Sequence, residues 1–159
     1  MEMLNISEVY QIAMQIEENG IKFYSLWAKK VKNKELKEIF SALAYAETEH
    51  KKIFEKMLKE IEDYEPKEAY PDEYFQYLRA YSENLIFRIK DAKEKLKKIK
   101  SVSKALEFAI EREKESILYY QEAKNVVPQV QHSELEKIIN EERKHFLDLL
   151  HIKNSIIKK

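Results

Sequence analysis

Apolar residues along this chain return in alternating steps of three and four, the spacing of an amphipathic helix whose stripe faces a packed neighbour. Ile6, Tyr10, Ala13, Glu17, Gly20, Tyr24, Trp27 and Val31 form the first stripe and predict a helix from about Ile6 to Val31. Asn5 stands where its N-cap belongs, and Glu8 three residues on completes a capping-box pattern. The second stripe runs through Leu36, Phe40, Leu43, Glu47, His50, Phe54, Met57 and Ile61, a helix from about Lys34 to Glu62 capped by Asn33. Val102, Leu106, Ala109, Glu113, Ser116, Tyr120 and Ala123 define a third, starting after Ser101 and ending near Asn125. The fourth begins soon after Pro128 and carries Leu135, Ile138, Glu142, His145, Leu149 and Ile152. Stripes this narrow and this long bury themselves best against one another, so the pattern predicts an all-α bundle of four helices.

Residues 63–100 break the rhythm. Pro66 and Pro71 end the second stripe, and a further helical piece over Asp72 to Ile89 carries Tyr74, Tyr77, Leu78, Tyr81, Leu85 and Ile86. A Lys-rich amphipathic run, KDAKEKLKKIK, follows. A structureless loop of this length is uncommon inside a compact domain, so a partly helical crossover is expected. The chain therefore reads as one domain: a helix hairpin over 5–62, the crossover over 63–100 and a second hairpin over 101–157.

The two hairpins repeat one another. AMQIEENGIKFY (Ala13 to Tyr24) lines up with AIEREKESILYY (Ala109 to Tyr120), at an offset of 96. AETEH (Ala46 to His50) lines up with EERKH (Glu141 to His145), at an offset of 95. The first offset carries Glu17 onto Glu113, and the second carries Glu47 onto Glu142 and His50 onto His145.

Composition narrows the chemistry. One Gly and three Pro in 159 residues argue against a turn-rich β-sandwich. Lys and Arg number 29, as do Asp and Glu, so no basic face for nucleic acid is expected. The absence of Cys excludes disulfides, thiolate-bound zinc, iron–sulfur clusters and a thiol nucleophile. MEMLNISEVY has neither the basic nor the apolar region of a signal peptide, and no apolar run is long enough to span a membrane. The expectation is a cytoplasmic protein without a membrane partner.

The candidate chemistry lies in the residues that interrupt the stripes. Glu47-Thr-Glu-His50 and Glu142-Arg-Lys-His145 each place a carboxylate and an imidazole three apart, on one helix face. Alone such a pair is weak evidence, since an acid precedes a given His by three about one time in five or six at this acid content. Asp148 and His151 show the same spacing without a counterpart in the other hairpin, and are read as surface residues. Glu47, His50, Glu142 and His145 differ in sitting on apolar seams, as do Glu17 and Glu113. Glu17 and Glu47 also lie at one level, each roughly 20 Å along its helix from the shared turn. Four carboxylates in one core repel one another and take up protons unless cations compensate them. Two divalent ions would balance the four charges, leaving two neutral imidazoles as further ligands.

This set resembles the ferritin-like diiron-carboxylate superfamily, and most closely the rubrerythrin-type ferritin-like domain. In that architecture two helices give one Glu each and two give Glu-x-x-His. The resemblance covers both hairpins and implies a ferritin-like four-helix bundle holding two iron ions, with manganese or zinc as alternatives. It implies Glu17 and Glu113 as terminal ligands, Glu47 and Glu142 as bridges, and His50 and His145 as one ligand to each metal. Tyr24 and Tyr120 follow Glu17 and Glu113 by seven residues. The family's tyrosines hydrogen-bond near the ligands, while the plain reading of these two is core aromatics. Two features depart from rubrerythrins: no Cys-rich rubredoxin domain is present, and Ser116 stands where a further Glu follows the third-helix ligand. Glu18, Glu49, Glu111 and Glu141 fall off the seams and are read as solvated.

The resemblance implies a diiron oxidoreductase reacting with hydrogen peroxide or dioxygen, by peroxide reduction or ferrous-iron oxidation. Without cysteines the electrons must come from an external donor. The other class in play is a non-enzymatic metal-binding or scaffold bundle. A storage cage is not expected, because only eight residues follow His151; the aromatic crossover suggests a homodimer instead.

Overall fold

A computed structural model describes residues 6–61, 73, 76–78, 80–81, 83–84, 94 and 96–157. Four long helices carry the structure: α1 (Ile6–Lys30), α2 (Lys34–Glu60), α3 (Val102–Lys124) and α4 (His132–Ile157). Their bounds agree with the stripes to within two residues. No strand occurs among the described residues, so the chain is an all-α bundle. α1 packs chiefly on α2 and α3 on α4, and α1 also meets α3.

Local chemistry sets the helix ends. Asn33 is extended and its Oδ1 accepts from Leu36 N at 3.1 Å, satisfying one of the free amides that open α2. Ser101 does the same for α3, its Oγ accepting from Lys104 N at 3.2 Å. Between α3 and α4, Pro128 enters a short 3-10 turn over Gln129–Gln131. Gln131 is buried there and closes the end of the bundle. Its amide donates to the Met57 carbonyl at 3.0 Å, and its Oε1 accepts from the Tyr10 hydroxyl.

The expected cap Asn5, both prolines Pro66 and Pro71, and most of the crossover lie outside the described residues. Described crossover positions are helical at 73, 76–78, 80–81, 83–84, 94 and 96–98. Leu78 is fully buried in one cluster with Val9, Ile12 and Tyr119, and the Tyr81 ring stacks on Tyr119. This covering explains why α1 and α3 bury more than their narrow stripes: Val9, Ile12 and Ile16 on α1 and Tyr119 on α3 are also inside.

The core falls into two apolar clusters. One gathers Tyr10, Phe54, Met57, Tyr120, Leu135 and Ile138 toward the α3–α4 turn. The other gathers Tyr24, Trp27, Leu36, Phe40, Leu106 and Leu149 toward the α1–α2 turn. On each helix the charged seam residues fall between them. No helix among the described residues is long and apolar enough to cross a membrane.

Candidate metal centre

The bundle brings all six seam residues together. Glu17, Glu47, Glu113 and Glu142 have no exposed surface, His50 is buried, and His145 keeps 14% of its side chain exposed. They form two quartets, Glu17–Glu47–His50–Glu142 and Glu47–Glu113–Glu142–His145, each with one ligand-type atom per residue and all such atoms within 4.8 Å. Glu47 and Glu142 belong to both. Opposed ligands on an ion with bonds of about 2.1 Å stand about 4.2 Å apart, so only a small contraction separates either quartet from a coordination shell.

The unpaired atoms provide an independent test of fit. Buried polar atoms almost always have a hydrogen-bond partner. Here Glu17 Oε2, Glu47 Oε1, His50 Nδ1, Glu113 Oε2, both oxygens of Glu142 and His145 Nδ1 have none. Each of the six residues thus offers at least one orphaned atom. His50 Nδ1 and Glu142 Oε1 stand 2.8 Å apart without forming a hydrogen bond. His50 Nε2 pairs with Glu141 Oε2 at 2.7 Å, an outer contact that orients the ring with Nδ1 turned toward Glu142 and Glu17. A ring nitrogen and a carboxylate oxygen facing at that distance need a proton or a metal ion between them. The oxygen and nitrogen donors, with no thiolate, suit a pair of divalent transition metals.

The remaining oxygens are held by the surrounding shell, and the holding crosses between hairpins. The Tyr24 hydroxyl on α1 donates to Glu113 Oε1 on α3, and the Tyr120 hydroxyl on α3 donates to Glu17 Oε1 on α1. The repeat thus carries one bond onto the other. Both tyrosines are fully buried aromatics, and each hydroxyl is bonded to a seam carboxylate of the opposite hairpin. Glu141 is largely exposed, as its place off the seam implies, but the solvated reading misses its bond to His50. Glu18, Glu49 and Glu111 pair with Lys51, Lys52 and Lys114 at the surface. Asp148 and His151 are exposed.

One residue of the centre is absent from the sequence reading. Arg112 of α3 keeps only 10% of its side chain exposed. Its Nη2 donates to Glu47 Oε2 at 2.7 Å and to the Ile16 carbonyl at 2.8 Å. The guanidinium carbon lies 5.5 Å from the Tyr24 ring centre.

Electrostatics divide the carboxylates. Burial pushes Glu47 well above the usual carboxylate range, with Glu17 and Glu113 adding to it and Arg112 opposing. Burial likewise raises Glu142, helped by Glu113 and Glu47. Burial also works against Glu17, but the neighbouring His50, with Glu47 and Arg112, brings it below the usual range. Burial disfavours charge on His50, yet Glu17 and Glu141 raise it; burial lowers His145 against the pull of Glu113. A cation entering between the two shared glutamates would displace protons from them.

A family model described as Rubrerythrin matches residues 8–153. Among solved structures, the chain is similar to a crystal structure from Thermotoga maritima, of a protein described as a candidate ferritin-like diiron-carboxylate protein. The two are 27% identical, the likeness covers 97% of each chain, and the TM-score is 0.72. A comparison with curated proteins finds no match.

Proposed function

This chain belongs to the rubrerythrin family, and from that premise we propose that it is a dinuclear-iron redox protein that reduces hydrogen peroxide, with ferrous-iron oxidation by dioxygen as the neighbouring activity. The carrying observation is the pair of buried quartets that share Glu47 and Glu142 and leave an orphaned donor atom on every member. Two ferrous ions held there would supply one electron each, enough with two protons to take one hydrogen peroxide to two waters.

The chain's own residues divide the work. Glu47 and Glu142, common to both quartets, would serve both metals; Glu17 with His50, and Glu113 with His145, would hold one metal each. Tyr120 and Tyr24 fix the outer oxygens of Glu17 and Glu113, leaving Oε2 of each free to ligate. Phe40, Leu43, Phe54 and Ile138, all buried, keep bulk water from the centre. His145 is the ligand that touches solvent, so a small oxidant enters on its side. With no Cys in the chain, the re-reducing electrons come from another molecule.

The test is anaerobic loading with ferrous iron, followed by stoichiometric hydrogen peroxide and, separately, dioxygen. Oxidation faster than that of free ferrous iron is expected, with peroxide the faster oxidant. Oxidation no faster than free iron with either oxidant sinks the proposal.

A further inference from the structure

Gly20 is the only glycine in 159 residues, and it stands in the middle of α1. A mid-helix glycine costs about 1 kcal/mol relative to alanine. Its backbone is not in the left-handed region, so conformation does not require it. Space does. A Cβ built on Gly20 would fall within 2.5 Å of Arg112 Cζ, and closer still to Arg112 Nη2 and Glu47 Oε2. The guanidinium occupies the volume that any other residue at position 20 would fill.

Arg112 is also anchored in that notch. Nη2 holds both Glu47 and the Ile16 carbonyl, and Ser116 Oγ donates to Arg112's own carbonyl at 2.9 Å. The internal repeat pairs Arg112 with Ile16 and Ser116 with Gly20. The cation, its anchor and the space it needs therefore fall on two pairs at which the halves of the repeat differ, and the position that mirrors Arg112 carries the apolar Ile16. Arginine stays charged inside a protein, so this charge is permanent.

We infer that Arg112, seated against Gly20, is a built-in counter-cation that holds Glu47 when metal is absent and competes with metal for that carboxylate. This rests on the dinuclear reading above. Without metal, Arg112 sets a fixed positive charge against the buried glutamates and positions Glu47 through Oε2. When metal enters, the same bond must be shared or exchanged, and the arginine's charge opposes that of the incoming ions. Arg112 thus stabilises the empty centre while weakening its hold on metal, a combination that a merely structural residue does not produce.

The experiment compares wild type with Arg112→Gln, Gly20→Ala and Arg112→Lys. Thermal melting in chelator reads the empty state, and calorimetric titration with Co²⁺ reads affinity and stoichiometry. Arg112→Gln should melt lower when empty and bind Co²⁺ at least about tenfold more tightly, the order expected for removing a unit charge a few ångströms away, and Gly20→Ala, which crowds both the guanidinium and Glu47, should melt lower when empty. Arg112→Lys keeps the charge and should stay near wild type in affinity. If wild type binds two Co²⁺ while Arg112→Gln binds no more tightly, or melts no lower when empty, this inference alone is overturned. A wild type that takes up no Co²⁺ overturns the dinuclear reading and this inference with it.

Discussion

Replacing Tyr120 by Phe removes one oxygen atom and nothing else. The ring keeps its packing against Phe54 and Tyr119, so no cavity larger than a hydroxyl opens. What disappears is the bond to Glu17 Oε1, in a place with no exposed surface on either partner. Glu17 is held below the usual carboxylate range, so the lost bond is one to a charged acceptor. Such bonds contribute about 1.5–3 kcal/mol, and the stripped oxygen is left beside Glu17 Oε2, which already has no partner. For a domain of this size about 2 kcal/mol lowers the melting temperature by roughly 4–8 °C. Tyr119→Phe is the matched control. Its hydroxyl donates to the Val9 carbonyl at 2.8 Å, a bond between neutral groups that contributes about 1 kcal/mol. Thermal melts of both variants in chelator should therefore rank Tyr120→Phe clearly below Tyr119→Phe, with both below wild type. Equal melting of the two variants would refute the claim that Glu17 is a buried, ionised carboxylate held from the opposite hairpin.

Three other outcomes are expected. Glu47→Gln, which touches both quartets, should abolish binding of both metals, whereas Glu17→Gln should leave about one metal per chain by elemental analysis. Glu141→Gln should weaken metal binding about 10- to 100-fold without changing the stoichiometry, because it loosens the orientation of His50 alone. Burial, together with the carboxylates of Glu113 and Glu17, pushes the Tyr24 and Tyr120 phenols well above their ordinary value of 10.0. The unfolded chain then loses protons near pH 10 that the folded chain keeps, so their contribution is complete below pH 10 and is lost as the pH rises above it. A spectrophotometric titration should show these phenols ionising only as the fold melts; two phenols ionising at ordinary pH in the folded protein, beyond the exposed ones, would contradict their burial.

The convergence of Glu17, Glu47, His50, Glu113, Glu142 and His145 was legible because each interrupts an apolar stripe at a spacing the other hairpin repeats. Periodicity fixes which face a helical residue occupies, and here the faces that meet are the ones the stripes define. The caps Asn33 and Ser101 were legible for a similar reason, since capping is decided within three residues. Arg112 was not. It lies one position off its stripe, within EREKES, a run that reads as a solvated face. Only the length of the side chain brings its guanidinium inward, and periodicity does not register length. The one sequence signal was on another helix: a lone glycine opposite it, whose meaning depends on knowing that α1 and α3 meet there. Glu141 escaped for the same reason, an exposed residue whose carboxylate reaches back to His50. The extra burial of Val9 and Ile12 depends on Leu78 of the crossover, a contact distant in sequence that no stripe contains.

The sharing of Glu47 and Glu142 bears on how the chain assembles. Each quartet draws three residues from one hairpin and borrows the fourth from the other. A metal pair would rivet together two halves that the chain itself joins only through the long segment between α2 and α3. Cross-links between positions so far apart in sequence restrict the unfolded chain strongly, so uptake of metal would add to the stability of the closed bundle. Severed within that segment, the two hairpins should become metal-dependent partners, each useless as a trap for ions until it meets the other.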